Sequence, residues 1–432
     1  MKKHTQSPYE SSKVSYKPSG IEWLGEIPQS WENVSIRSCF TESNQRCNTD
    51  SYPLLSVTIA NGIIYQDNIE NKKDISNDDK SNYKIVPLNA VAYNKMRMWQ
   101  GAVGVNTLTT GIVSPAYIVA IPNEKILPNF VSYLFKSKIM IGEFDKNSYG
   151  LCLDMNNLRY DDFRNIKIPL PPLQEQKEIA EFLDSKCEKI QNYIDKKQKL
   201  ITLLQEKKQA LINEVVTKGL NPNIEFKNSG IAYLGLIPHH WEVKKLKHIC
   251  KINPQTNETL PNNFVYIDLE SVAKGQLLKE QTINKEQAPS RAQRILQKQD
   301  ILFQLVRPYQ RNNYIFNKNG DYVASTGYAQ IRTKECVNFV YYALLENSFV
   351  ERVILKSTGS NYPAITSNDF ADLKIPLPPL QEQKQIANFL DEKCEKINSA
   401  IEKTKKQIEL IKEYKNTLIN EAVCGRINLE RK

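Results

Sequence analysis

Residues Lys167 to Ile190, KIPLPPLQEQKEIAEFLDSKCEKI, recur as KIPLPPLQEQKQIANFLDEKCEKI from Lys374 to Ile397, with 21 of 24 positions identical. A second pair lies upstream of each: SGIEWLGEIPQSWE, Ser19 to Glu32, matches SGIAYLGLIPHHWE, Ser229 to Glu242, at 9 of 14 positions. Two copies of one plan in the same order restrict the chain to a duplicated architecture, because whatever the first half folds into the second must approximate. Each half reads as a leading motif, a variable body of roughly 130 residues, and a long helix.

The prolines at 169, 171 and 172, and at 376, 378 and 379, fix an extended stretch and stop any earlier helix. Beyond them, from Gln174 to about Thr217 and from Gln381 to about Val423, neither proline nor glycine interrupts a run dense in Glu, Lys, Gln, Leu and Ile. Each run predicts a helix on the order of 65 Å long. In the first, a heptad seam holds Leu183, Ile190, Lys197, Leu204 and Leu211, with Cys187, Ile194, Ile201, Lys208 and Val215 at the alternate positions. The same register in the second gives Leu390, Ile397, Thr404, Ile411 and Leu418, with Cys394, Ile401, Ile408, Lys415 and Ala422. Eight of ten seam positions are apolar in both, and the polar interruptions match, which predicts a coiled coil; two helices packed on something larger is the alternative.

Chain direction sets the geometry of that pair. The first helix must end where the second body begins, so pairing along the length requires the helices to run antiparallel. The expected fold is mixed α/β: two similar domains joined by an antiparallel coiled coil, with approximate two-fold symmetry. Its parts are an N-terminal tail (1–16), a first body (17–166), a first helix (167–220), a second body (221–373), a second helix (374–425) and a tail (426–432).

Composition excludes several classes. Apolar residues make up 41% and charged residues 25% of the 432, the balance of a globular protein rather than a disordered one. No window approaches the roughly 18 apolar residues of a membrane helix, and MKKHTQSPYE has no apolar run behind its lysines, so a cytoplasmic chain is expected. The cysteines, at 39, 47, 152, 187, 250, 336, 394 and 424, form no C-x-x-C pair and read as reduced, small apolar residues. His4, His239, His240 and His248 make no ligand set with them, so no metal is expected. The net charge of +10 is greatest over residues 227–380, at +6, which permits nucleic-acid binding without demanding it.

The bodies are less alike. Strand-like stretches in the first are Leu54 to Ile59, Asn89 to Tyr93 and Ile112 to Ile121. NFVSYLF, Asn129 to Phe135, aligns with NFVYYAL, Asn338 to Leu344, as an aromatic helix. AYNKMRMWQG, Ala92 to Gly101, falls at the place of LFQLVRPYQR, Leu302 to Arg311, and SPAY, Ser114 to Tyr117, at that of STGY, Ser325 to Tyr328. Two diverged modules, inverted on a rigid spacer, fit an inverted but non-identical target, and duplex DNA is such a polymer. Arg, Lys, Gln and Asn match purine edges, and aromatics stack or wedge. Lys95, Arg97, Trp99 and Gln100, with Arg307, Tyr309, Gln310 and Arg311, combine these types at equivalent places and are the candidate DNA contacts, to bases or to phosphates. Trp99 equally fits core packing. Trp23, Trp31 and Trp241 belong to packing against the scaffold or a partner.

The doubled PLPPLQEQ helix, the SGIEWLGEIPQSWE-type motif, and the KMRMWQGAVGV and GIVSPAY stretches closely resemble the DNA-specificity subunits of type I restriction-modification systems, over roughly residues 17 to 425. The resemblance implies two target recognition domains and a coiled-coil ruler. It also implies a chain that binds double-stranded DNA and two modification subunits. Those subunits carry S-adenosylmethionine and methylate adenine N6; restriction subunits using ATP and Mg²⁺ can join them. No N-P-P-Y or D-P-P-F box and no G-x-x-x-x-G-K-[ST] loop occurs, so catalysis and cofactors are expected on the partners and none in this chain. Two other readings stay open: a related system with cleavage and methylation in a single partner, and a scaffold presenting two protein-binding modules.

Overall fold

The computed structural model describes residues 15–47, 52–69, 80–150, 156–256 and 258–427. His4, Cys152 and most of both tails singled out above lie outside them. The chain divides into two units: residues 1–197 with 406–432, and residues 198–405. The long helices run over Leu173–Lys218 and Leu380–Val423, within a residue of the expected bounds, and each contributes to both units.

In the first unit the leading motif forms a hairpin, Tyr16–Pro18 against Glu26–Pro28. The next strand, Glu32–Ser35, pairs antiparallel with Lys167–Leu170, the KIPL of the repeated motif, so the body begins and ends at one two-stranded clasp. Between them lies a four-stranded antiparallel sheet in the order Phe40–Ser43, Tyr117–Pro122, Val91–Asn94, Val103–Val105. Helices Pro128–Lys136 and Lys138–Lys146 follow it in the chain. Phe130, Val131, Leu134 and Phe135 are buried, and Phe135 packs its ring on Phe40, Phe144 and Phe163. The stretch Ile112 to Ile121 is two strands, Gly111–Val113 and Tyr117–Pro122. Pro115 has no N–H for a ladder, and Tyr117 N–H closes a turn onto Ser114 O.

The second unit repeats the plan. Its hairpin is Phe226–Asn228 with Leu236–Pro238, its clasp Glu242–Lys245 with Lys374–Leu377, and its main sheet Cys250–Ile252, Tyr328–Thr333, Ile301–Gln304, Tyr314–Ile315. It adds a second four-stranded sheet, Gln281–Asn284, Asn263–Ile267, Tyr322–Ser325, Ala292–Ile295, with a parallel pair at its centre. Among the described residues, the first unit has smaller pieces of this layer, including a parallel bridge from Leu54 to Ile112.

Inside each unit the two helix segments run antiparallel. In the second, Lys208 Nζ donates to Asn398 Oδ1 at 2.9 Å, and Gly219 lies beside Glu382, so rising numbers on one segment meet falling numbers on the other. In the first, Lys415 acts electrostatically on Cys187, while Trp31 binds Glu175 at one helix start and faces Gly425 at the other helix end. None of the twenty heptad positions is exposed; Leu183, Ile190, Ile194, Ile201, Leu390, Ile401, Ile408 and Leu418 are buried, and Leu204, Leu211, Ile397 and Ile411 half-buried. Cys187 and Cys394 are buried in the seam, and burial raises both thiols, as it raises Cys250 and Cys424 to about 11.

The repeated LQEQ has a structural task. Gln176 and Gln383 are fully buried. Gln176 Oε1 accepts from Leu127 N–H at 2.8 Å, and its amide donates to Lys125 O and Pro171 O. Gln383 Oε1 accepts from Cys336 N–H at 3.0 Å, and its amide donates to Pro378 O and Glu335. One side chain thus ties each aromatic helix to the start of a long one, and a buried amide with every bond made is rigid.

Candidate nucleic-acid interface

In the first unit the strand Val91–Asn94 runs out of the sheet into a 3₁₀ turn at Met98–Gln100. Asn94 holds this turn: its carbonyl accepts from Arg97 N–H and its side chain from Met96 N–H at 3.0 Å. Met98 is the buried anchor, which leaves Arg97 and Gln100 exposed, Lys95 and Trp99 half-buried. Trp99 is neither core nor free: its indole N–H donates to Met96 O at 3.1 Å. Asn94, Met96, Arg97, Trp99, Gln100 and Ala116, the last from the Ser114–Tyr117 turn, line one open depression of about 490 Å³.

Lys136 fastens this surface from beneath. Its ammonium donates to Thr58 O, Ile59 O and Gly101 O at 3.2, 2.6 and 3.0 Å, joining a hairpin, the aromatic helix and the turn. Burial pushes it down to about 8.

The second unit places Ile301–Gln304 and the 3₁₀ turn Pro308–Gln310 in the same relation. Leu158 N–H donates to Lys95 O in one unit and Ile365 N–H to Leu305 O in the other, so the equivalence read from the sequence is met by the hydrogen bonds. The turn is built differently. Arg307 and Arg311, which flank it, both have φ +54°, the left-handed region non-glycine residues seldom adopt. Tyr309 is 51% exposed, and Gln310 Oε1 accepts from the buried Gln304 at 2.8 Å. Arg311 is engaged internally: Nη1 donates to Asn347 Oδ1 at 2.7 Å, and burial lowers its pKa. Of the eight residues chosen from the sequence, Trp99, Gln310 and Arg311 have side chains that the fold itself engages.

Sequence reasoning missed the loop above Arg307. Residues 357–364 close through paired Thr358 and Ala364 bonds of 2.9 Å each, and Pro363 O accepts from Arg307 N–H at 2.7 Å. The loop lays the ring of Tyr362 against the Arg307 guanidinium, 4.2 Å from its centroid. A signal was present: Ser148-Tyr149-Gly150 and Ser357-Thr358-Gly359 repeat a Ser-x-Gly pattern after each second body helix. Arg291 was missed as well; its carbonyl accepts from Thr326 N–H, beside Gly327, whose carbonyl accepts from Leu305 N–H. Loop 357–364 and the turn thus meet at Arg307 and Tyr362, and backbone bonds tie residues 291 and 326–327 to the neighbouring Leu305.

The model of the type I restriction modification DNA specificity domain matches twice, at residues 28–205 and 238–410. The chain belongs to that family. Each match takes in one body and most of one long helix. Among curated relatives, the type I restriction enzyme MjaVIII specificity subunit of Methanocaldococcus jannaschii is 28% identical over 344 residues, covering 74% of this chain and 75% of the relative. The MjaIX specificity subunit of the same organism is 23% identical, covering 76% and 75%. The HsdS subunit from Thermoanaerobacter tengcongensis has a TM-score of 0.53 at 18% identity, over 93% of this chain and 98% of that one. A chain solved in work on complex assembly and conformational transition of the type I R-M system reaches 0.69 at 17% identity, over 93% and 99%. These solved structures share the fold of duplicated mixed modules and long helices.

Proposed function

We propose that this chain is the sequence-reading, non-catalytic subunit of a type I restriction-modification complex. Each recognition module reads one half of a bipartite, asymmetric double-stranded DNA target. The paired helices set the number of unread base pairs between the halves. The chain docks modification subunits, which bring S-adenosylmethionine and adenine-N6 methylation, and through them restriction subunits with ATP and Mg²⁺. The observation that carries this reading is that one frame, matched by the family in both halves, holds two turns of the same place and different chemistry: Arg97, Trp99 and Gln100 in one, Arg307, Tyr309 and Gln310 in the other.

One experiment tests its parts together: single-molecule sequencing of methylated adenines in cells carrying the wild-type complex, Arg97→Ala, or a chain lacking seven residues at matched places in each helix. Arg97→Ala is expected to relax one half of the motif and leave the other intact, since a bidentate base contact is worth about 1–3 kcal/mol of discrimination. The matched deletion is expected to shorten the unread spacer. Equal relaxation of both halves removes the module assignment, and an unchanged spacer removes the ruler.

A further inference from the structure

Arg307 is held from three directions. Its backbone is fixed at φ +54°, ψ +54°. Its N–H is bonded to Pro363 O at 2.7 Å. Its guanidinium carbon stands over the Tyr362 ring, 4.2 Å from the centroid, with Nε buried and, among the described residues, without an acceptor. No carboxylate among the described residues forms an ion pair with it, although such pairs bind Arg332 and Arg164 in this chain.

The other member of the pair is equally unusual. Tyr362 is 64% exposed, yet its loop is closed at the base by the Thr358 and Ala364 bonds. An exposed aromatic ring on a fastened loop is a rigid wall at low entropic cost, because a tyrosine has only two side-chain torsions to fix. A guanidinium against such a wall has its plane set and its rotation stopped. What remains is the distal pair of N–H groups, a planar fork with no carboxylate ion pair among the described residues. That fork matches two acceptors side by side, and guanine alone shows such a pair, N7 and O6, on its major-groove edge. Backbone strain at left-handed residues persists only where the surroundings impose it, and two such residues within five concentrate it at this turn.

We infer that Arg307 and Tyr362 form one preassembled reading element, in which Arg307 donates to N7 and O6 of a guanine in the second half-site and Tyr362 is the positioning residue that fixes the guanidinium plane. This rests on the module assignment above. In the first unit Arg97 stands exposed.

The test is selection from a pool of randomised duplex DNA by the full-length chain assembled with its modification subunits, followed by sequencing of the bound fraction, for wild type, Tyr362→Ala, Tyr362→Phe and Arg307→Ala. Tyr362→Ala is expected to lower the preference for guanine about tenfold at a single position of one half-site, with the other half-site and the salt dependence unchanged. Tyr362→Phe keeps the ring and is expected to retain the preference. Three outcomes overturn the inference. Tyr362→Ala with wild-type preference removes the positioning role. A uniform weakening across all sequences, with a shallower salt slope, makes Arg307 a phosphate contact. Loss of the whole half-site in both the Ala and Phe variants makes the loop structural. If Arg307→Ala too leaves that half-site intact, the base-reading role of the turn falls with it; if Arg307→Ala relaxes one position and Tyr362→Ala does not, only the positioning role falls.

Discussion

At the start of the first long helix, Glu175 takes two donors: Trp31 Nε1 at 2.6 Å and Ser30 Oγ at 3.0 Å. At the start of the second, the equivalent Glu382 meets His240 Nε2 at 2.7 Å, and the indole N–H of the fully buried Trp241 has no acceptor among the described residues. Ser30 and His240 are corresponding positions of a motif the two halves otherwise share. One substitution has moved the carboxylate from the tryptophan to the imidazole. The lesson is that the repeat preserves shape before bonds: both tryptophans fill the same place, and only one is fully satisfied. The same holds under the candidate turns: Lys136 bonds three carbonyls in the first unit, whereas the second has Leu345 at the matching position and Arg311 supplies a tie from another direction.

The largest expected asymmetry lies where each long helix ends. Gly219 and Gly425 both cap with left-handed φ, +77° and +72°. A methyl group on Gly425 would drive into Pro28 and stand 3.1 Å from Trp31, both rigid, whereas on Gly219 its nearest neighbours are Glu382 at 3.1 Å and Trp241 at 3.2 Å. Gly425→Ala is therefore expected to cost about 3 kcal/mol and Gly219→Ala about 1–2 kcal/mol. Hydrogen exchange of the hairpins Tyr16–Pro28 and Phe226–Pro238 reads each locally; equal loss of protection would erase the distinction.

Next in size is the carboxylate pair. Glu175→Ala leaves the Trp31 N–H buried without an acceptor and should cost about 1–3 kcal/mol. Glu382→Ala removes a partly exposed contact to His240 and should cost under about 1 kcal/mol. Denaturant titration of both variants decides it, and the comparison fails if Glu382→Ala is the more damaging.

A further asymmetry is the pH dependence carried by Lys136, whose counterpart in the second unit is Leu345. Lys136, lowered to about 8 in the folded chain against 10.5 ordinarily, binds fewer protons folded than unfolded between those values. Stability from this group therefore rises with pH across that window. Melting temperatures of wild type and Lys136→Met, followed from pH 7 to 10, should separate with wild type gaining as pH increases; parallel curves would show that the ammonium is not desolvated.

Much of the frame was legible from the amino acids. The helix bounds, the heptad face and the equivalence of the two turns follow from proline positions, a 3.5-residue period and a shared register, all local or repeated signals. The candidate interface was legible only in part. Trp99 belongs to a backbone hydrogen bond and Arg311 to Asn347, because polar tips near a turn satisfy internal acceptors that no linear pattern displays. Tyr362 reaches Arg307 from a loop 55 residues further on, a juxtaposition made by the sheet and helices between them.

The clasp carries a consequence of its own. Ser35 pairs with Lys167, and Lys245 with Lys374, so the roughly 130 residues of each body leave and return through neighbouring backbone. A segment whose two ends adjoin can be replaced by another of different length without stretching its surroundings. Whatever new side chains such a replacement presents, the doorway itself need not change, which makes each body a cartridge seated in a fixed socket.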